Sequence, residues 1–510
     1  MDANREEYLD DRKRAPRSLG RVLVLGLGRS GKAAVSYLTG PAAARVEALA
    51  VAAGERTAQA EAFVMEYPAS ALMAAFGDDA PQLLAQRAGA DRFDLCIASP
   101  GIAPGTALYR NAAAVSREVV SEVEFAWRES AASSRWAAIT GTNGKTTVTS
   151  LTAHLLQQAG MRAKAVGNIG DTCLEAVAAG DVDVYVAETS SYQLDGTRCF
   201  APNAAVLLNI TPDHLKWHGS FEAYEQAKLK VLANLADVPG AVAVLDAVDD
   251  VVRATVRSLR AASDTERGFS YVPVGTAQGV SGDMRAACGS DNAAFLDSDG
   301  VLTVALSGCE HRLVPASDLQ IRGEHNVSNA LAAAAVALAL GLGEDEVAQG
   351  LRSFKALEHR IEPCGTVRGV ACYNDSKATN VDATLKAFAA FDPARPIVLL
   401  GGRDKGTELA PLVQAARDHA KAVVLFGESH DRFADAFASL EAAPRGEQPV
   451  SVLHAGKLAE ALDVALDVAE GGDIVLLSPA CASFDEFSCF EERGDTFKAL
   501  VAERAAAAGA

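Results

Sequence analysis

The chain has few aromatic residues, no apolar run long enough for a comfortable membrane span, no excess of positive charge and no paired spacing among its cysteines. Each shortage excludes something. Aromatics make up 6 % of residues while apolar residues reach 49 %, the balance of an α/β protein built on Ala, Val and Leu. The long Ala-rich run at residues 329–342 is uncharged but too short to span a bilayer comfortably, so it reads as a buried helix. A formal net charge of −19 argues against a nucleic-acid surface, although local Lys and Arg can still line a cleft for an anionic small molecule. The nine cysteines form neither a zinc ribbon nor a disulfide framework, which suits a reducing compartment. The first 18 residues are charged and lack an apolar core, so they are expected to be a mobile tail and no signal peptide. A cytoplasmic protein of two to four domains is expected from 510 residues.

What is present is a strand–glycine-loop–helix beginning, met three times. Residues 21–25 lead into Gly26-Leu-Gly-Arg-Ser-Gly31, residues 136–140 into Gly141-Thr-Asn-Gly-Lys-Thr-Thr147, and residues 396–400 into Gly401-Gly-Arg-Asp-Lys405. Further apolar runs at 183–187, 204–209, 241–245, 422–426 and 473–477 read as central strands. This alternation predicts parallel α/β units, with ligands at the carboxyl ends of the strands. Residues 130–135 are small and polar and suit a first linker, and a second boundary falls near 356. Residues 281–300, rich in Gly, Ser and Asp, suit turns between short strands.

The sharpest chemical signal is Gly141 to Thr147. Glycines let backbone N–H groups close around phosphates, the following helix offers its positive end, and a lysine neutralises phosphate oxygens. Gly141, Thr142, Asn143, Gly144, Lys145, Thr146 and Thr147 are therefore candidate nucleotide contacts, with the Thr146 hydroxyl placed for Mg²⁺. A strict P-loop needs glycine where this chain has Ile139, so the loop is a shortened variant. Glu188 follows a predicted strand, where a metal-binding acid faces nucleotide phosphates. His214 also follows a strand, and Lys228 lies on the next helix; taken singly, a satisfied loop histidine and a solvated lysine are the plainer readings. Gly26-x-Gly-x-x-Gly31 suits any diphosphate, a dinucleotide included, with Glu47 about the right distance downstream for a ribose contact.

Taken in order, Gly-Thr-Asn-Gly-Lys-Thr-Thr, Gly167-Asn-Ile-Gly170, Glu188-Thr-Ser-Ser-Tyr-Gln193, Asn209-Ile-Thr-Pro-Asp-His214, Tyr224-Glu-Gln-Ala-Lys228 and His325-Asn-Val-Ser-Asn329 resemble the motifs of the Mur ligases. Ser99-Pro-Gly-Ile102, Asn374-Asp-Ser-Lys-Ala-Thr-Asn380, Leu400-Gly-Gly-Arg-Asp-Lys405 and Ser478-Pro-Ala-Cys-Ala-Ser-Phe-Asp485, followed by Phe490 and Arg493-Gly494, are most similar to the members that add D-glutamate. The likeness runs from about residue 20 to the C-terminus and is weakest between 40 and 95.

The resemblance implies an α/β fold of three domains. These are an N-terminal Rossmann-like UDP-binding domain (1–132), a central P-loop ATPase-type domain with a mainly parallel sheet (133–356), and a C-terminal Rossmann-like domain (357–510). It implies ATP and two Mg²⁺ ions as cofactors, with Lys145 on the phosphates, Thr146 and Glu188 on one ion, and His214 with a carbamylated Lys228 on the other. Asn326, Arg360 and Asp375 match nucleotide contacts. Gly28, Ser30, Gly31, Ser99, Asn168, Ser190, Gln193, His214 and Lys377 match the UDP-linked substrate site, and Thr379, Lys405, Ser483 and Phe490 the D-glutamate site. The acid and hydroxyl pair that the family sets against uracil has no clear match, and that contact stays unassigned between Glu47 and the loop around Thr57. The implied activity is ATP-dependent ligation of D-glutamate to UDP-N-acetylmuramoyl-L-alanine through an acyl phosphate, by a monomer. A folylpolyglutamate-type ligase, another Mur enzyme, an NAD-dependent oxidoreductase and a non-enzymatic nucleotide binder are the alternatives. The last two leave most of these motifs without a role.

Overall fold

A computed structural model describes residues 7–89, 91–262, 267–275, 290–404, 406–441 and 450–509. The chain divides into two compact units, one of residues 1–317 with 328–352 and one of 318–327 with 353–510. The short stretch 318–327, which carries Asn326, thus groups with the C-terminal residues. Arg322 lies over the Tyr373 ring at 5.5 Å within that unit.

The first unit holds two sheets. One is fully parallel, in the order Met73–Phe76, Val46–Ala53, Gly20–Leu25, Leu95–Ala98, Val119–Ser121. Its strand order reverses beside Gly20–Leu25, so the loops after that strand and after Leu95–Ala98 part and leave a crevice. Gly31 has a packing reason: a Cβ there would sit 1.9 Å from the Gly26 carbonyl oxygen.

The second sheet has nine strands, in the order Cys309–Pro315, Val301–Leu306, Ala293–Leu296, Ser270–Val274, Val242–Asp246, Ala204–Leu207, Arg135–Thr140, Val184–Glu188, Ala163–Gly167. The two strands 301–306 and 309–315 join antiparallel, and the rest run parallel. Register matters more than order here. Ile139 lies opposite Glu188, and Thr140 opposite Leu207. The glycine loop, Glu188 and the 208–214 loop therefore emerge at one edge. The buried Ala-rich helix is present as Glu324–Ala339.

The second unit carries a six-stranded sheet in the order Glu362–Val367, Val370–Asn374, Ile474–Leu477, Ile397–Gly401, Ala422–Phe426, Ser451–His454, parallel except for its first pair. The switch in strand order falls between Ile397–Gly401 and Ile474–Leu477, again leaving a crevice at their carboxyl ends.

Two expectations change. Residues 7–18 are no loose tail where they are described. Lys13 N donates to Ser130 O at 3.0 Å, Arg14 N to Arg128 O at 3.0 Å, and Ala132 N to Asp11 O at 2.9 Å, so this segment straps the linker between the first two sheets. Ala15, within this segment, is fully buried. The linker itself is packed, with Ser130 and Ser134 buried and Trp136 Nε1 donating to Ser130 Oγ at 3.1 Å. Within the Gly/Ser/Asp-rich stretch, residues 281–289 lie outside the described residues and Ala293–Leu296 is a strand. Among the described residues no helix is long and apolar enough to cross a membrane.

Candidate active site

The crevice of the first sheet has a volume of about 490 Å³ and is lined by Gly28, Ser30 and Ser99 together with Gly54, Glu55 and Thr57. Ser99 is almost fully buried, and its hydroxyl has no hydrogen-bond partner. Gly31 supports this crevice by packing and does not line it. Glu47 is the second residue of its strand, at the end away from the crevice, and pairs with Arg21 at 3.0 Å. The loop after that strand, bearing Glu55 and Thr57, is the part that reaches the crevice.

In the central sheet the glycine loop turns through positive φ at Gly141 (155°) and Gly144 (85°). A Cβ at Gly144 would lie 2.7 Å from Asn329 Oδ1, so both backbone shape and space call for glycine. Helix Lys145–Gln158 starts at Gly144 without a side-chain cap, which leaves its first N–H groups and positive end for an anion. Asn209 braces the loop: its side-chain oxygen accepts from Asn143 N at 2.8 Å, and its backbone oxygen from Thr142 N at 2.8 Å. The Thr142 hydroxyl bonds the Tyr224 hydroxyl at 2.8 Å and serves the loop. Lys145 Nζ donates back to Gly141 O and Thr142 O, at 2.9 and 2.8 Å. Thr146 is half-buried in the first turn and Thr147 is buried.

Glu188 is 2 % exposed. One carboxylate oxygen accepts from Asn168 Nδ2 at 2.7 Å, while the other is buried without a partner. An orphaned carboxylate oxygen beside an uncapped helix end suits a hard cation with oxygen ligands. Lys228 is also 2 % exposed and donates to Gly141 O at 2.6 Å. Burial, then the neighbouring Lys145 charge, holds its amine well below the usual lysine range, against the pull of Asp213 and Glu188. The plainer reading of a solvated lysine is overturned by this burial. His214 stands half-exposed in left-handed backbone (φ 53°), with its ring 4.8 Å from that of Tyr192 and Nε2 3.5 Å from Asp213. Ser190 and Gln193 cap the helix Ser191–Asp195 reciprocally, and Gln193 is buried.

The second unit gathers another set of groups. Asp375 is buried, accepts from the Ser478 hydroxyl at 2.8 Å and from Ile361 N at 3.3 Å, and burial pushes its carboxyl up to about 7 against the pull of Ser478 and Arg360. Lys377 Nζ lies 3.7 Å above the Phe490 ring, which begins helix Phe490–Gly509. Thr379 follows on the same loop, with its N–H bonded to Lys377 O at 2.8 Å. Ser483 is buried in the loop after Ile474–Leu477. Asn326 Nδ2 donates to Arg322 O at 2.7 Å. Lys405 lies outside the described residues. One group escaped assignment from sequence. Arg493, the third residue after Phe490, is buried behind this crevice and binds two of its loops. Its place in the motif with Phe490 was the only signal for it.

The Mur ligase middle domain family matches residues 139–337, and the Mur ligase, glutamate ligase domain family matches residues 359–481. The UDP-N-acetylmuramoylalanine–D-glutamate ligase of Myxococcus xanthus is 38 % identical over 485 residues, covering 94 % of this chain and 98 % of its own. That of Thermoanaerobacter pseudethanolicus is 37 % identical over 412 residues, covering 80 % and 84 %. Among solved structures, the UDP-N-acetylmuramate–alanine ligase of Thermotoga maritima superposes with a TM-score of 0.52 at 17 % identity, covering 95 % of this chain and 99 % of that one, a likeness of fold. Relatives this similar over nearly their whole length, and two matched domains in the same order as the motifs, show that the chain belongs to the Mur ligases, in the family of UDP-N-acetylmuramoylalanine–D-glutamate ligases.

Proposed function

We infer that this chain joins D-glutamate to UDP-N-acetylmuramoyl-L-alanine at the expense of ATP, giving ADP and phosphate, in the making of peptidoglycan precursors. The carrying observation is the edge where Lys145, the uncapped helix Lys145–Gln158, the orphaned Glu188 oxygen and the buried Lys228 emerge together. The substrate carboxylate attacks the γ-phosphorus of ATP, ADP leaves, and the acyl phosphate forms. The D-glutamate amine then attacks the acyl carbon, phosphate leaves, and the amine proton is lost. Both steps concentrate negative charge on oxygen, so the helix end and Lys145 stabilise them electrostatically. Lys145 exchanges its bonds to Gly141 and Thr142 for phosphate oxygens.

Thr146 and Glu188 suit one Mg²⁺, and Asn168 orients the carboxylate that would bind it. His214 and Lys228, as its carbamate, suit a second, and bound Mg²⁺ supplies charge neutralisation on the phosphates. A lysine ammonium must lose its proton before it can add CO₂, and burial of Lys228 favours the neutral amine. The first crevice suits the UDP group through Gly28, Ser30 and Ser99, with Glu55 and Thr57 as the acid and hydroxyl for the base. Thr379, Ser483 and Lys405 suit the two carboxylates of D-glutamate, with Phe490 and Lys377 beside them. The reading is of a cytoplasmic monomer working on small molecules. ADP release, measured with UDP-N-acetylmuramoyl-L-alanine and a panel of amino acids, should respond to D-glutamate above all. Stimulation by another amino acid, or none, would overturn it.

A further inference from the structure

Arg493 is 1 % exposed, a severe environment for a guanidinium. Its Nε donates to Ser376 Oγ at 2.9 Å, and its Nη2 donates to Ser376 O at 2.8 Å and to Cys481 O at 3.1 Å. Ser376 Oγ passes the link on, donating to Phe490 O at 2.8 Å. One side chain thus ties together three pieces of backbone: the loop bearing Lys377 and Thr379, the loop bearing Ser483, and the start of the helix bearing Phe490. Nη1 is buried without a hydrogen-bond partner. It faces Gly402, where a Cβ would come within 3.1 Å of it, on the turn after Ile397–Gly401.

Among the described residues no carboxylate forms an ion pair with this cation. Asp375 is engaged by Ser478 and Ile361, and Asp485 accepts from Glu428 N at 3.1 Å. Burial lowers the guanidinium to about 10 against the pull of Cys481, Asp485 and Asp375, which still leaves it charged near neutrality. A buried cation that no carboxylate pairs directly is costly unless an ordering role repays it.

We propose that Arg493 is a positioning residue for the acidic amino-acid substrate, holding the Lys377–Thr379 loop and the Ser483 loop at the spacing its two carboxylates need and biasing the crevice electrostatically toward a dianion. The side chain stays behind the loops and acts through them. This rests on the D-glutamate reading of the same crevice.

The test compares wild type, Arg493→Met, Arg493→Lys and Ser376→Ala by steady-state ADP release and thermal melting. In Arg493→Met the KM for D-glutamate should rise roughly tenfold or more, the scale of losing charge-assisted hydrogen bonds, while the KM for ATP stays within about twofold. Arg493→Lys, which keeps the charge and loses the fork, should recover part of the loss. Ser376→Ala keeps the whole arginine and cuts its link to Phe490. It should raise the KM for D-glutamate by a smaller factor, and it decides the matter if Arg493→Met does not fold. An unchanged KM for D-glutamate in folded Arg493→Met, or in Ser376→Ala should Arg493→Met not fold, overturns the proposal. So does an equal rise in the KM for ATP, which marks a merely structural role. The wild-type arm separates the two claims: no response to D-glutamate there removes the substrate reading itself, whereas a normal response with unaffected variants removes only the role of Arg493.

Discussion

Two buried ionisable side chains carry the residue-scale consequences. Lys228 looked like an ordinary helix lysine, and only burial beside Gly141 distinguishes it. Lys228→Ala should lose roughly 10²-fold or more in turnover, the scale of removing one preorganised charged group. A small added carboxylate such as acetate should restore part of it by filling the vacated space. ADP release across an acetate titration checks this, and a fully active variant would remove Lys228 from the mechanism. Asp375 raises a question of pH. Its carboxyl titrates at about 7 in the fold and near 3.8 in the unfolded chain. Between those values the folded state holds the extra proton, so stability falls as pH rises and the whole penalty is present above about 7. Asp375→Asn keeps a carbonyl for Ser478 and Ile361 and removes the charge. The variant should gain melting temperature over wild type at about pH 8, gain progressively less at lower pH, and bind ATP more weakly. A variant that melts lower than wild type at every pH would contradict this.

At the scale of elements, the helix Glu122–Glu129 has a structural part that its sequence does not announce, because its acids Glu122, Glu124 and Glu129 are all buried. Glu124 accepts from Arg198 N at 2.9 Å, Cys199 N at 3.1 Å and Phe200 N at 2.8 Å, and from Arg128 Nε at 2.7 Å. Glu122 accepts from Leu174 N at 2.6 Å, at the start of helix Cys173–Ala179. Glu129 takes the Tyr37 hydroxyl at 2.9 Å and the Arg45 guanidinium. This helix therefore pins the first sheet's layer to the second's, under the strap of residues 7–18. Glu124→Ala strands several buried donors and should destabilise the first unit by about 3–5 kcal/mol, measured as a shift in its denaturant midpoint. A shift below ~1 kcal/mol would show that water replaces the carboxylate. By contrast, the central strands were legible because continuous Val, Leu and Ala runs are the mark of parallel strands covered on both faces. The predicted runs at 422–426 and 473–477 coincide with Ala422–Phe426 and Ile474–Leu477 to within a residue.

For the whole molecule, the division into two compact units has a thermodynamic consequence. Each unit has its own apolar core, so unfolding need not be a single cooperative event. Calorimetry should resolve two transitions in the absence of ligands. Glu124→Ala should lower only the transition of the first unit, and Asp375→Asn should move only that of the second. One transition shifted as a whole by both substitutions would show the units to be coupled.

The amino-acid order by itself determined the α/β class, the glycine loops and the succession of strand ends from which those loops leave. Local backbone demands, such as left-handed glycines and strand–loop–helix succession, are written in neighbouring residues. The tertiary structure alone decided which polar side chains lose their water. Neither the burial of Lys228 and Arg493, nor the engagement of Glu124 by a distant turn, nor the strapping of the linker by residues 7–18 has a local signature. Desolvation depends on groups brought together from far along the chain, and Glu124 meets Phe200 across 76 residues. The same holds for the acid of the first crevice. Glu47 and Glu55 lie on one strand and its following loop, and only the strand's direction in the sheet sets Glu55 at the carboxyl end, where the crevice opens.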